Sequence, residues 1–331
     1  MRGVRTLRRA ARLIPLLVLL SVTGVAPGSP PAQHGSPPPP PFDDGGSASA
    51  ALAADAGMQI ERNRPPQFAL AQHTRLAVAL AGLKPQRRGT VDVYVLVAAL
   101  DSDPVFGREA RATGRVLARR YAAAGRTIVL AADDGRGGEM LAHGSPVAIE
   151  AALARIAELI DPAEDVVVLY TTSHGSPIGI VYQDGSAGFG AISPMRLAAM
   201  LDGLGIRRRM LLISACYAGV FVPMLGDEDS VIASAASATT TSFGCRAEND
   251  WTFFGDALIN RALRKPQGLP AAFAEADAEI AAWERGGGIE PARPQLHIGS
   301  RAGRWLAAIE ARLPPADAPI GRPATDALRA P

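Results

Sequence analysis

The run 165–172, with the sequence DVVVLYTT, is almost entirely apolar and β-branched. A continuous apolar run of this length is typical of a strand that is buried on both faces, as in a covered parallel sheet. Strands that alternate with helices predict βαβ units and a mostly parallel sheet, which places the chain in the α/β class. Further strand-like runs lie at 91–99, 127–131, 209–214, 230–235 and 296–298, and helical patterns lie at 66–83, 106–124, 146–160, 193–201, 252–264, 270–284 and 302–313.

Reactive side chains follow two of these apolar runs. His174 comes two residues after the first run, and Cys216 comes two residues after the run 209–214. The working site of an open α/β sheet lies at the carboxyl ends of its strands. If the two strands are neighbours, about 4.8 Å apart, the imidazole and the thiol meet at one edge of the sheet.

A thiol beside an imidazole is the smallest set of side chains that supports nucleophilic acyl transfer. The imidazole takes the proton of the thiol and later protonates the leaving amine. Gly175 and the backbone of Cys216 would offer N–H groups to the oxyanion, since glycine lets a carbonyl approach closely. Cys216 and His174 are therefore the predicted catalytic pair.

Two simpler interpretations of Cys216 stay open at this point. A lone buried cysteine often serves only as a small apolar side chain, and Cys216 would form a disulfide with Cys245 in an oxidising compartment. The tetrapeptide His-Gly-Ser-Pro is not evidence by itself, because it occurs at His34, His143 and His174. Only the third copy follows a buried strand.

Composition excludes several function classes. The formal charge is +2, from 34 basic and 32 acidic residues, whereas nucleic-acid-binding proteins usually have a strong basic excess. Two cysteines and five histidines, none paired at i, i+4, do not form a multi-cysteine or helical zinc motif. We therefore predict no metal, no organic cofactor and no nucleic-acid partner.

A family resemblance now follows from four stretches, DVVVLYTTSHGS, LLISACYAG, TTTSFGC and TFFGDAL. Together they resemble the legumain-type cysteine peptidases, their bacterial members above all, over about 65–313. The resemblance implies a caspase-like three-layer α/β/α sandwich with a mostly parallel central sheet. It also implies a Cys216–His174 dyad, an oxyanion hole at Gly175 and Cys216, and a peptide or protein substrate.

The resemblance carries over less completely to the S1 pocket, which holds the residue before the cleaved bond. Ser242 and Asp256 match the pocket serine and aspartate of the family, and Arg108 matches one of its two basic residues. Ser214 stands where legumains carry glutamate, and the asparagine that supports the catalytic histidine falls at about Val105. Losing a carboxylate while keeping Arg108 makes the pocket more positive, so we expect Asp at P1 to be accepted as well as Asn or better.

Other functions compete with hydrolysis. A transamidase or transpeptidase would use the same acyl-enzyme, and a non-catalytic caspase-like binding module would keep the fold alone. A serine esterase lacks its G-x-S-x-G motif here, and the glycine-rich loop at 135–138 lacks the GK[ST] ending of a phosphate-binding loop. The leading hypothesis is a cysteine endopeptidase.

The ends of the chain predict export. Five arginines precede an apolar stretch at 13–26, which is typical of a signal peptide. If uncleaved, it would anchor a periplasmic or extracellular enzyme to the inner membrane. We divide the chain into this segment (1–26), a Pro/Gly/Ala-rich spacer (27–58), a peptidase domain (59–313) and a disordered tail (314–331). The sequence leaves the oligomeric state open.

Overall fold

A six-stranded sheet organises the molecule, in the strand order β10-β9-β8-β4-β2-β3, and only β10 runs antiparallel to its neighbour. The computed structural model describes residues 48–329. The strands are β1 (Gln59–Glu61), β2 (Val93–Ala99), β3 (Thr127–Leu130), β4 (Val166–Thr172), β5 (Gly175–Ser176), β6 (Gly179–Asp184), β7 (Gly188–Ile192), β8 (Arg209–Ser214), β9 (Ser230–Ser234) and β10 (Gln295–Ile298).

Helices cover both faces of this sheet. They are α1 (Ala48–Asp55), α2 (Pro66–Ala81), α3 (Pro104–Arg120), α4 (Pro146–Leu159), α5 (Pro194–Gly203), α6 (Val222–Leu225), α7 (Leu269–Gly287) and α8 (Ala302–Glu310). The odd-numbered side chains of β2 pack with α3, α7 and α8, and the even-numbered ones pack with α4 and α5. The predicted three-layer α/β/α arrangement with a mostly parallel sheet is confirmed.

The central strands have the burial expected from their sequence. All residues of β2, β4 and β8 are buried, because helices shield both faces and every apolar side chain enters a core. Ser145 and Ser193 accept the backbone N–H groups of Ala148 and Arg196 and so cap α4 and α5. These caps fix the residues at which α4 and α5 begin.

A smaller antiparallel sheet has the order β1-β7-β6-β5, and its strand β5 begins directly after His174. Ile180, Tyr182 and Ile192 of this sheet share one core with α4 and α5. The N–H of Val181 donates to the carbonyl of His174 at 3.0 Å. The small sheet is thereby joined to the end of β4, where His174 lies.

The structure differs from the sequence prediction near residue 255. In place of a regular helix over 252–264, a π-helical segment spans Gly255–Arg261 and a 3₁₀ turn spans Ala262–Arg264. The hydroxyl of Thr252 accepts the N–H of Gly255 at 3.0 Å, and Oε2 of Glu109 occupies the space where a side chain at Gly255 would lie. These contacts bring the start of the segment against α3.

Two predicted boundaries need correction within the described residues. The end of the predicted spacer forms α1, whose buried Ala50, Ala53 and Ala54 pack it on α5 and β7. The predicted disordered tail is wrong for 314–329, because this segment is hydrogen-bonded to the core. The N–H of Ile320 donates to Asn260 at 2.9 Å, and Nε1 of Trp251 donates to the carbonyl of Ile320 at 2.9 Å.

The predicted signal peptide and most of the spacer lie outside the described residues. Within residues 48–329, no helix combines the length and the apolar character needed to cross a membrane.

Candidate active site

The strand register brings the two predicted catalytic residues to one edge of the sheet. Strands β4 and β8 are adjacent and parallel, and Thr172 pairs with Ser214. His174 and Cys216 each follow this pair by two residues. The N–H of Ser173 also donates to the carbonyl of Ser214 at 3.1 Å, which extends the pairing beyond the strands. The predicted adjacency of the two strands is confirmed.

Gly175 lets the chain that follows His174 approach the backbone of Cys216. A Cβ atom at this position would lie 2.0 Å from the carbonyl oxygen and 2.9 Å from the nitrogen of Cys216. No side chain is compatible with such distances, since both obstructing atoms are backbone atoms. The predicted oxyanion residues are therefore in direct contact.

The thiol of Cys216 lies among backbone N–H groups. Ser242 donates its N–H to Sγ at 3.3 Å, and the thiol donates to the Ser242 carbonyl at 3.5 Å. Burial raises the pKa of the Cys216 thiol, although the backbone N–H groups of Ser242, Cys216 and Gly175 lower it. The resting group is therefore a thiol that needs a base, and donors suited to an oxyanion already face it.

Tyr217 turns the chain sharply after Cys216, the predicted nucleophile. Its φ of 57° lies in the left-handed region, which costs a residue with a side chain about 1 kcal/mol or more. Its N–H donates to the carbonyl of Thr240 at 2.9 Å. This bond holds the turn and keeps Cys216 at the end of β8.

Two carboxylates from the end of β2 surround His174. Oδ2 of Asp103 lies 3.8 Å from Nε2 of His174, an ion-pair distance. Burial opposes the charged imidazolium, but the charges of Asp103 and Asp101 outweigh it and raise the pKa of His174. The ring packs edge-on against Phe106, with centroids 5.2 Å apart, so its orientation is fixed by a ring on one side and carboxylates on another.

Asp101 belongs to the same cluster. Burial raises its pKa to about 7, although the charge of His174 lowers it. One of its oxygens accepts the N–H of Asp103 at 2.8 Å. Asp101 therefore holds the turn that presents Asp103 to His174. With a pKa of about 7, the Asp101 carboxyl gains or loses its proton near neutral pH.

Arg108, predicted to bind substrate in S1, is engaged by a neighbouring loop. Its guanidinium lies 3.1 Å from Asp250 and donates to the carbonyls of Asn249 at 3.0 Å and Asp134 at 2.8 Å. Its side chain is 10% exposed. In this structure Arg108 fixes the loop that follows Cys245.

Ser214 is buried, and its hydroxyl hydrogen-bonds that of Thr252 at 3.0 Å. The carboxylate of Glu109 lies in the same group, since it accepts the N–H of Thr252 at 2.6 Å and the hydroxyl of Thr172 at 2.7 Å. Burial raises the pKa of Glu109. Glu109 is itself 0% exposed, so it joins α3 to Thr172 and Thr252 inside the core.

The prediction that Asp256 lines the S1 pocket does not agree with the structure. Its side chain is 0% exposed. One oxygen accepts the amide of Asn260 at 2.8 Å, and the other accepts the N–H of Ala324 at 2.8 Å. A carboxylate that is closed off from solvent and bound on both oxygens by the protein is an anchor for the C-terminal segment.

Both cysteines are free, so the alternative disulfide is not formed. Burial raises the pKa of Cys245 well above its usual range. Its side chain packs against the core that contains Phe253 and Trp251. These properties are those of a packed thiol.

A comparison with family models identifies the chemistry. Residues 150–303 match the model of the peptidase C13 family. Over this segment the chain resembles the peptidase C13 family of cysteine peptidases. The matched segment contains His174 and Cys216, and it excludes β2 and α3 with their carboxylates.

Two other comparisons give weaker similarities or none. No curated protein sequence matches it. Among solved structures, it is similar to caspase-1 from Spodoptera frugiperda, with 12% sequence identity and a TM-score of 0.42. The similarity covers 65% of this chain and 88% of that one.

Sequence reasoning missed Asp101, Asp103 and Glu109. The first two follow a buried strand at the same sheet edge as His174 and Cys216, so the rule that identified the dyad applies to them as well. The position assigned to a supporting asparagine is Val105, which is fully buried in α3. Nothing in the sequence pattern distinguishes Glu109 from an ordinary helix residue.

In the part of the chain that the structure describes, no group of three or more histidine, cysteine, aspartate or glutamate side chains is arranged to hold a metal ion.

Proposed function

We propose that this cysteine peptidase is an exported endopeptidase that cleaves peptide bonds through a Cys216–His174 dyad. The observation that carries the proposal is the register of β4 and β8, which places both residues two positions beyond the pair Thr172–Ser214. The raised pKa of the thiol agrees with a nucleophile that a neighbouring base must activate.

The reaction begins when His174 takes the proton of the Cys216 thiol. The thiolate attacks the substrate carbonyl, a carbon–sulfur bond forms, and the oxyanion accepts hydrogen bonds from the N–H groups of Gly175 and Cys216. The imidazolium then gives its proton to the leaving amine as the carbon–nitrogen bond breaks. A thioester remains on Cys216.

Water completes the cycle. His174 takes a proton from the water, the resulting hydroxide attacks the thioester, and the carbon–sulfur bond breaks to release the acid and the thiol. Asp103 acts as a positioning residue, because its carboxylate lies beside Nε2 and leaves Nδ1 to exchange protons with the sulfur and the substrate. An amine that attacks the same thioester would yield transamidation, which is the alternative outcome.

The proposed P1 residue is Asn or Asp. The support for it is that the N–H of Ser242, which the resemblance assigns to the pocket, donates to the sulfur of Cys216. Export is proposed from the basic and apolar pattern of residues 1–26. A P1 scan in which Ala is cleaved as fast as Asn and Asp would contradict the specificity.

The test of the activity uses fluorogenic peptides varied at P1, under reducing conditions, with hydroxylamine added to half of the samples. We expect turnover by the wild type, loss of nearly all turnover in Cys216→Ala, and retention of most turnover in Cys245→Ser. Equal activity in Cys216→Ala would reject the dyad. Hydroxamate that forms with the wild type and not with Cys216→Ala would show that an acyl-enzyme forms on Cys216.

A further inference from the structure

A cavity of about 250 Å³ lies where the second half of α3 meets the C-terminal segment 314–329. We call it the arginine cavity, which is defined by Arg115, Arg119, Arg264 and Asp317. A fourth arginine of its lining, Arg120, lies 2.7 Å from Glu310 and is buried with that partner. The C-terminal segment supplies one wall, so the cavity exists because that segment is ordered.

Positive charge exceeds negative charge in the arginine cavity. The guanidinium groups of Arg115, Arg119 and Arg264 line it together with one carboxylate, that of Asp317. This carboxylate lies 2.9 Å from Nη1 of Arg264 and 3.4 Å from Nη1 of Arg119. Three guanidinium groups against one carboxylate leave two positive charges unbalanced.

Arg115 is the cation of this cluster that has no partner. Its side chain is exposed, and within residues 48–329 no carboxylate or carbonyl accepts a hydrogen bond from its guanidinium. It stands four residues before Arg119 on α3, a spacing at which like charges on a helix repel each other. Burial lowers the pKa of Arg264, Asp317 opposes this effect, and the charges of Arg119 and Arg115 lower the pKa again. The three guanidinium groups are therefore close enough to repel one another.

The cavity already binds one oxyanion, which belongs to the chain itself. The carboxylate of Asp317 is shared between Arg119 and Arg264, and the side chain is 46% exposed, so this balance is made on the solvent side. Guanidinium groups bind carboxylates and phosphates through the same planar pair of N–H donors. The chemistry of the cavity is thus that of an oxyanion site in which Arg115 is unmatched.

Charge and shape define the ligand. A phosphate monoester carries about −1.5 to −2 charges at pH 7, which matches the unbalanced positive charge. The C-terminal wall is apolar, because Pro314 and Ile320 form it and Ile320 is 40% exposed. We propose that the arginine cavity binds a small phosphate monoester, with the phosphate on Arg115 and Arg119 and the organic group against Ile320.

This site is separate from the proposed peptidase centre. Arg115 lies twelve residues beyond Asp103, which is about 18 Å along the axis of α3. The ligand would contact neither Cys216 nor His174, and its binding does not depend on the proposed function. A ligand that binds only the folded chain stabilises it, so both affinity and thermal stability report on the site.

The binding test uses the full chain and three probes, titrated by calorimetry at low ionic strength. Phenyl phosphate carries the charge and an apolar ring, inorganic phosphate lacks the ring, and benzyl alcohol lacks the charge. We expect phenyl phosphate to bind about tenfold more tightly than inorganic phosphate, because the ring buries apolar surface, and benzyl alcohol to bind far more weakly than either. Added KCl should weaken the binding of both phosphates, since exposed charges are screened.

Two outcomes of this titration would overturn the proposal. Equal binding of phenyl phosphate and benzyl alcohol would show that the arginines do not recognise the anion. Equal binding of phenyl phosphate and inorganic phosphate would show that the wall at Ile320 does not hold an organic group.

A matched pair of variants locates the binding. Arg304 on α8 is exposed like Arg115 and has no side-chain partner within residues 48–329, but it does not line the cavity. Arg115→Gln should weaken the binding of phenyl phosphate about tenfold or more, and Arg304→Gln should leave it unchanged. An equal effect of the two substitutions, or no effect of Arg115→Gln, would overturn the proposal.

Thermal melting separates a ligand site from a structural role. Without ligand, Arg115→Gln should melt at or slightly above the wild-type temperature, because the substitution removes a repulsion and breaks no contact. Phenyl phosphate should raise the Tm of the wild type and have little effect on the variant. A variant that melts well below the wild type without ligand would overturn the assignment of Arg115 to binding. Absence of peptide turnover in the wild type would reject the proposed peptidase function and would leave these binding measurements unaffected.

Discussion

The carboxylate of Asp103 lies 3.8 Å from Nε2 of His174, although the two residues are 71 positions apart in the chain. Parallel strands β2 and β4 bring them together, since Ala99 at the end of β2 pairs with Thr172. The carboxylate raises the pKa of the imidazole and limits its rotation. In the proposed mechanism, this pair supplies the oriented base that a thiol with a raised pKa requires.

We expect Asp103→Asn to lower kcat/KM roughly tenfold or more, with a smaller effect on KM. The substitution keeps the size of the side chain and removes the charge that favours the imidazolium. The acidic limb of the kcat/KM profile should therefore move to lower pH. Steady-state rates across the pH range measure both effects, with Asp277→Asn, an exposed change on α7, as the control. A uniform loss of rate without a shift of the limb would mean that Asp103 is only structural.

The raised pKa of Asp101 predicts how the stability of the folded chain depends on pH. Its pKa is about 7 in the folded chain against 3.8 for an ordinary aspartate. The folded state therefore holds the proton more tightly than the unfolded state, and the free energy of unfolding should fall as pH rises from about 4 to above 7. The raised pKa of His174 acts in the same direction.

Urea unfolding at several pH values in this range tests the prediction. Asp101→Asn should flatten the pH dependence, because the amide has no proton to lose. If the wild type and the variant have the same slope, Asp101 does not retain its proton in the folded state.

The sequence was sufficient to predict the sheet and the adjacency of the strand ends that carry His174 and Cys216, but not the surroundings of these two residues. Runs such as 166–172 are apolar on both faces, so their role as central strands depends on local composition alone. The approach of Asp103 to His174 depends on how the turn after β2 is held by Asp101. A match of linear positions to a family pattern cannot reveal such a substitution of one supporting group by another.

The order of the C-terminal segment could not be predicted from local sequence either. Proline and alanine predominate in 314–331, and this composition alone indicates a chain without a core. The segment is ordered because buried groups elsewhere need partners, among them Trp251, Asn260 and Asp256. Its order is a tertiary effect that local composition does not encode.

Gly175→Ala should abolish turnover and lower stability. The new Cβ would meet the carbonyl oxygen of Cys216 at 2.0 Å, so the two strand ends must separate and the N–H groups would leave the sulfur. The control is Gly203→Ala at the end of α5, where a Cβ has no heavy atom within 4 Å. Thermal melting and peptide turnover should be close to wild type for the control. Normal activity in Gly175→Ala would exclude this contact as the basis of the oxyanion hole.

Asp256→Asn distinguishes the structural role of this carboxylate from a role in specificity. The structure predicts a free energy of unfolding lowered by about 1–3 kcal/mol, because an amide cannot accept on both sides from Asn260 and Ala324. The ratio of kcat/KM for Asn and Asp at P1 should stay unchanged, since the carboxylate is shut off from solvent. Urea unfolding and the P1 ratio are measured on the same preparation. A changed ratio with unchanged stability would return Asp256 to the substrate pocket. A truncation after Leu313 should lower stability further than Asp256→Asn, because it removes the partners of Trp251 and Asn260 as well as the N–H of Ala324.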